Sequence, residues 1–200
     1  MGLDLTSAWF RMLGMNEFPC RPSTRRRLLC ASLAATAVLA LQGRARAANV
    51  VRPWPAGKPT PPLGLTDTEG KAWKLAALQG QVVMLNFWAT WCEPCRAEMP
   101  SLELLATRHE RAGLTVLAVN YQETLPVIKR FLELQPILLP ILLDRDGVAA
   151  AAWTPRVFPT TVLIDRAGVP RTQVLGELDW MGGGARELHS EGRAAGHHHL

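Results

Sequence analysis

The sequence predicts an α/β fold: a central mixed sheet flanked by helices, with a short N-terminal β-hairpin extension. Three observations carry that prediction. Residues 81–89 (QVVMLNFWA) and 114–121 (LTVLAVNY) are apolar runs without polar alternation, which suits strands covered on both faces. The segment after each run has a helical pattern, so strands and helices alternate along the chain. Near the end, Thr160–Asp165 and Pro170–Gly176 flank Arg166-Ala167-Gly168, the pattern of a β-hairpin. Alternation first and a hairpin last imply a sheet that starts parallel and finishes antiparallel.

Residues 1–47 stand apart from this pattern. The basic run Thr24-Arg25-Arg26-Arg27 precedes an apolar stretch from Leu28 to Leu41, and Ala45-Arg46-Ala47 offers small residues where an export peptidase reads. This is the grammar of an export signal. The 14-residue apolar core is shorter than the ~20 residues that span a bilayer. Cleavage near Ala48 is therefore expected, with an uncleaved signal-anchor as the alternative. Residues Thr24 to Leu29 also resemble a twin-arginine signal, with Leu28 where phenylalanine is usual; an ordinary basic region fits equally. Met12 and Met15 offer later starts than Met1.

The whole chain carries +5, but residues 1–47 hold seven Arg against Asp4 and Glu17. From Ala48 onward there are 15 basic and 15 acidic residues, so the excess belongs to the leader and makes no case for nucleic acid. Cys20 and Cys30 fall in the leader as well. A mature chain of 153 residues keeps Cys92 and Cys95, with the periplasm or the outer face of the cytoplasmic membrane as its expected location.

Residues 48–62 hold five prolines and read as an extended linker. The domain proper is expected over 63–190, with a disordered tail at 191–200. Leu63–Thr66 and Ala72–Leu75 flank Asp67-Thr68-Glu69-Gly70, a turn signal, and form the expected hairpin. The strand at Gln81–Ala89 is followed by a helix over Glu93–Arg111 and a second strand at Leu114–Tyr121. Thr124–Gln135 has Val127, Ile128, Phe131, Leu132 and Leu134 at helical spacing, with Pro126 in its first turn. A strand over Ile137–Leu143, a short helix over Val148–Trp153 and the terminal hairpin come next. From Asp179 the chain is expected to be helical, briefly, before glycines interrupt it.

Cys92 and Cys95 lie where the first long buried strand meets its helix, the end of a strand at which open α/β sheets place their sites. Three residues apart on one helical turn, the two sulfurs are within reach of a disulfide. So small a loop constrains an unfolded chain little, and the mature domain is large enough to hold a core without a staple. The pair is therefore read as chemical. Cys92 at the helix start meets free N–H groups and the positive dipole end, which favour a thiolate; Cys95, one turn in, is expected to be shielded. That asymmetry makes Cys92 the attacking sulfur and Cys95 the resolving one. Pro94 suits the first helical turn and is expected, with Trp91 and Phe158, to contact substrate. Trp91 either packs or screens the exposed sulfur and offers substrates an apolar surface. The rival chemistry is metal capture. One C-x-x-C supplies two of the four ligands zinc normally takes, His109 lies on a polar helix face, and His197, His198 and His199 lie in the tail. Reversible copper or zinc binding by the thiol pair stays as the alternative.

At this point VVMLNFWATWCEPCRAEMP, with DTEGKAWKLAALQGQ upstream and VFPTTVLIDRAG and GELDW downstream, resembles the TlpA/ResA group of exported thiol–disulfide oxidoreductases. The likeness covers most of residues 60–180 and implies a thioredoxin-like fold. It also implies a cis Pro159 packed against the cysteine pair, with Phe158 beside it on the substrate-facing loop; an ordinary trans edge-strand proline is the alternative. Pro100 stands where such folds kink the active-site helix. Three departures matter. Asn86 replaces the buried aspartate of cytosolic thioredoxins, which leaves Glu93 either as the nearest acid to influence proton transfer or as a surface charge at a favourable helix start. Val157 stands where many relatives have glycine, and Pro155 where a β-branched residue is common.

Dithiol–disulfide exchange on protein substrates is the expected activity, by a monomer without cofactor or resident metal. The resemblance implies a protein disulfide reductase recharged by a membrane electron donor, in cytochrome c or copper-site maturation. An oxidant or peroxide reductase is a second reading, and a copper carrier or non-catalytic binding module a third.

Overall fold

The computed structural model describes residues 49–182, which fall in the unit Ala47–Leu200. The leader at 1–47, the tail at 191–200 and His197–His199 lie outside the described residues.

Among the described residues, eight strands and three α-helices follow one another: β1 (Val50–Pro53), β2 (Gly64–Thr66), β3 (Ala72–Lys74), β4 (Val82–Trp88), α1 (Glu93–His109), β5 (Leu114–Tyr121), α2 (Leu125–Leu134), β6 (Ile141–Asp144), α3 (Val148–Trp153), β7 (Thr160–Ile164) and β8 (Pro170–Leu175). Six strands form one sheet in the order β1-β8-β7-β4-β5-β6, and β2 and β3 form a separate hairpin. β4, β5 and β6 run parallel, whereas β7, β8 and β1 are joined antiparallel. This is the mixed thioredoxin-like sheet. The hairpin touches it through a bridge between Asp67 and Leu142.

β4 shows why its sequence lacks alternation. Met84, Asn86 and Trp88 face one layer; Val83, Leu85 and Phe87 face the other, and all six are buried. The first layer holds Met99, Leu102 and Leu105 of α1 with Ile128 of α2; the second holds Ala149, Ala150 and Trp153 of α3 with Leu63 and Leu75. Burial on both faces removes the need for polar positions along the strand.

Three expectations are corrected. The linker read at 48–62 is a sheet strand over its first residues: Val50, Val51, Arg52 and Pro53 pair with Leu175, Val174, Gln173 and Thr172, because two β-branched residues complete the open edge of β8. The strand expected from Ile137 begins only at Ile141. Pro140 has no N–H for a ladder, Leu138 is 86% exposed, and the Leu138 N–H donates to the Glu103 carboxylate instead. Asp179–Gly182, where the expected C-terminal helix would begin, is a turn closed by Gly182 N–H to Asp179 O at 3.0 Å, and the rest of that expected helix, residues 183–190, lies outside the described residues. Trp180 in that turn is buried and covers α1.

Candidate active site

β4 ends at Trp88, and Ala89-Thr90-Trp91 makes a turn closed by Cys92 N–H to Ala89 O at 3.1 Å. α1 then starts with Cys92 as its N-cap and Pro94 in its first turn, where a missing N–H costs nothing. Cys92 and Cys95 are joined as a disulfide, Cα to Cα 5.3 Å, and the Cys95 N–H points at the Cys92 sulfur at 3.3 Å. Cys92 was expected to be exposed. In the disulfide it is 5% exposed and Cys95 not at all, because both sulfurs belong to the inner layer and α1 covers them. The residual opening is on Cys92.

Trp91 is 64% exposed and meets Phe158 edge-on at 6.1 Å between ring centroids. Phe158 in turn lies 4.9 Å from Tyr121. This aromatic row joins the cysteine turn to the loop before β7, where the Phe158–Pro159 peptide is cis and Pro159 is buried. Trp91 is thus on the surface with one edge packed, rather than a core residue. The loop takes its left-handed residue at Arg156 (φ 60°), so Val157 is not asked for a glycine conformation; Val157 and Pro155 are exposed.

Glu93 is exposed and makes its first-turn contribution on the outside of α1. The buried acid of α1 is Glu98, three residues beyond Cys95 on the same helix face and 2% exposed. Glu98 was not among the expected site residues. Its Oε1 accepts from Asn86 Nδ2 at 2.6 Å, and its Oε2 from Leu178 N at 3.1 Å and Trp180 Nε1 at 3.4 Å. Asn86 also donates to Thr161 Oγ1 at 2.9 Å. Burial outweighs these donors and raises the Glu98 carboxyl from 4.5 to about 7, with Glu177 adding repulsion. Asn86 therefore does not leave the interior without an acid; it holds one supplied by α1. A second carboxylate, Glu123, follows β5 and accepts from Thr90 and Asn120. Among the described residues no three His, Cys, Asp or Glu side chains gather to hold a metal ion.

The arrangement can transfer two electrons through the sulfur pair and can bind or release a proton on Glu98 near neutral pH. Comparison with known proteins agrees. Residues 56–172 match the model of the AhpC/TSA family. The thiol-disulfide oxidoreductase ResA of Bacillus cereus (strain ZK / E33L) is 34% identical over 121 residues, 60% of this chain and 70% of that protein. ResA of Geobacillus thermodenitrificans (strain NG80-2) is 35% identical over 122 residues, 61% of this chain and 70% of its own length. The crystal structure of a secreted Mycobacterium tuberculosis disulfide oxidoreductase, homologous to E. coli DsbE, superposes with a TM-score of 0.54 at 26% identity, over 66% of this chain and 95% of that one.

Proposed function

We propose a specific role from the premise that this chain belongs to the AhpC/TSA family and to the ResA-like thioredoxin-fold thiol–disulfide oxidoreductases. Its reaction class is dithiol–disulfide exchange. Within that class the chain acts as a protein disulfide reductase. The Cys92 thiolate attacks a substrate disulfide, forming one mixed S–S bond and releasing one substrate thiolate. Cys95 then attacks the Cys92 sulfur, which closes the intramolecular disulfide and frees the second substrate thiolate. Two electrons pass to the substrate. Glu98 accepts the proton that Cys95 gives up, and Trp91 and Phe158 present the apolar rim on which the substrate docks, with Pro159 shaping the loop that carries Phe158.

One observation carries this reading: the Cys92–Cys95 disulfide sits at the N-terminus of α1 with Cys92 as the cap and the helix N–H of Cys95 aimed at its sulfur. Export, by the leader at 1–47, is supported by that segment's grammar and by the secreted relative. No helix among the described residues is long and apolar enough to cross a membrane. The protein works as a monomer, is recharged by a membrane thiol donor, and serves cytochrome c or copper-site cysteines.

Trapping tests the assignment. Cys95→Ser should hold substrates as stable mixed disulfides on non-reducing gels, and Cys92→Ser should hold few. Equal trapping by both variants, or trapping through Cys95 alone, reverses the roles.

A further inference from the structure

The turn that carries Cys92 is closed by one backbone hydrogen bond of its own, Cys92 N–H to Ala89 O, and a contact from outside braces its middle. That contact comes from a side chain 33 residues away. The Glu123 carboxylate takes the Thr90 N–H on Oε2 at 2.7 Å and the Thr90 hydroxyl on Oε1 at 2.5 Å, and Asn120 Nδ2 adds a third bond to Oε2 at 2.7 Å. Charge-assisted bonds of this kind are about twice as strong as neutral ones, and two of them on one residue fix orientation as well as distance.

Two features of the surroundings accompany this contact. Gln122 holds a left-handed backbone (φ 56°), which turns the chain after β5 so that Glu123 points back at the neighbouring strand end. Its N–H bonds to Asp144 O at 2.9 Å, and Gly147 lies so close that an added Cβ would fall 2.7 Å from Gln122 Nε2. Asn120 gives its amide to Glu123 and leaves its own Oδ1 buried without a partner.

We propose that Glu123 is a positioning residue for the exchange reaction: through Thr90 it holds Trp91 and the Cys92 turn in the geometry that presents the attacking sulfur at the helix N-terminus. This rests on the reading of Cys92 as the nucleophile. If the brace loosens, Cys92 drifts from the Cys95 N–H, its thiolate loses a donor, and attack slows.

The test is alkylation of the reduced protein by iodoacetamide at pH 7, with Cys92 modification followed by mass spectrometry and melting temperature recorded alongside. Glu123→Gln cannot accept from Thr90 with both atoms, and Thr90→Val removes the hydroxyl at nearly constant shape. Each should slow Cys92 modification by about threefold, because losing a donor to the sulfur raises the thiol pKa and lowers the thiolate fraction. The double variant should be no slower than either alone, and Thr90→Ser should keep the wild-type rate. Faster alkylation in Glu123→Gln with no change in Thr90→Val would mean the carboxylate acts only by charge and would overturn the proposal. So would additive losses, or a lowered melting temperature with unchanged rates. Alkylation needs no turnover, so a wild type inactive on insulin would sink the reductase reading while leaving this result intact.

Discussion

Two carboxylates, one inside α1 and one just after β5, each accept three hydrogen bonds, and they do opposite things. Glu98 lies one helical turn after Cys95 at 2% exposure, with Asn86, Leu178 and Trp180 as donors. Glu123 lies at the rim, half-buried, with Thr90 twice and Asn120 once. The donor count is the same, so solvent makes the difference. Out of water, three donors do not offset the penalty on a charge, and the Glu98 proton is held to about pH 7. At the rim, the carboxylate serves as a bracket for backbone and hydroxyl. Hydrogen-bond number alone therefore does not tell a proton carrier from a positioning group.

The contrast can be broken at several points. The largest effect sets the scale: Cys92→Ser should lower insulin reduction by more than about a thousandfold, whatever the two acids do. Next comes Glu98→Gln. The folded acid keeps its proton up to about pH 7 and the unfolded one only to 4.5. Wild-type stability is therefore full below 4.5 and falls as pH rises through 7, by on the order of 3 kcal/mol. Glu98→Gln should abolish that fall in denaturant titrations at pH 5 and pH 8, whereas Glu123→Gln should leave it in place. A wild type equally stable at both values would erase the distinction between the acids. Trp91→Ala should raise KM for a protein substrate about fivefold while changing stability by less than about 0.5 kcal/mol, since the ring is largely exposed. The smallest change is expected from Glu93→Gln. Its alkylation-versus-pH curve should stay within about twofold of wild type, because water screens that carboxylate; a larger displacement would return Glu93 to the proton path.

Much of the frame was legible because burial leaves a mark on composition. β4 and β5 had to be apolar on both faces, and α2 and α3 were bounded by proline and glycine. β1 escaped notice because an edge strand buries little: Val50 and Val51 remain about half exposed, and nearby prolines look like a linker. The start of β6 was misplaced because Leu138 is apolar yet sits outside. Glu98 was readable in principle. It falls on the stripe of Cys95, Met99, Leu102 and Leu105 along α1, so an acid at that spacing was bound to enter the core. No comparable mark exists for Glu123 and Thr90, which meet only because two parallel strands end side by side.

The direction of β1 has one more consequence. Val50 pairs with Leu175, Leu175 with Thr160, and Thr160 with Phe87, so the chain enters the fold level with the end of β4 that leads to Cys92. Three strand spacings, about 14 Å, separate that entry from β4, the strand that leads to the disulfide. Gly176 donates its N–H to Pro159 O at 2.8 Å, and a Cβ built on it would lie 3.4 Å from the Asn49 Cα. A leash attached before Asn49, whether an affinity tag or a lipid-bound peptide, would therefore leave the molecule at its reactive pole. Bulky partners would have to approach past it, and short ones could be delivered by it.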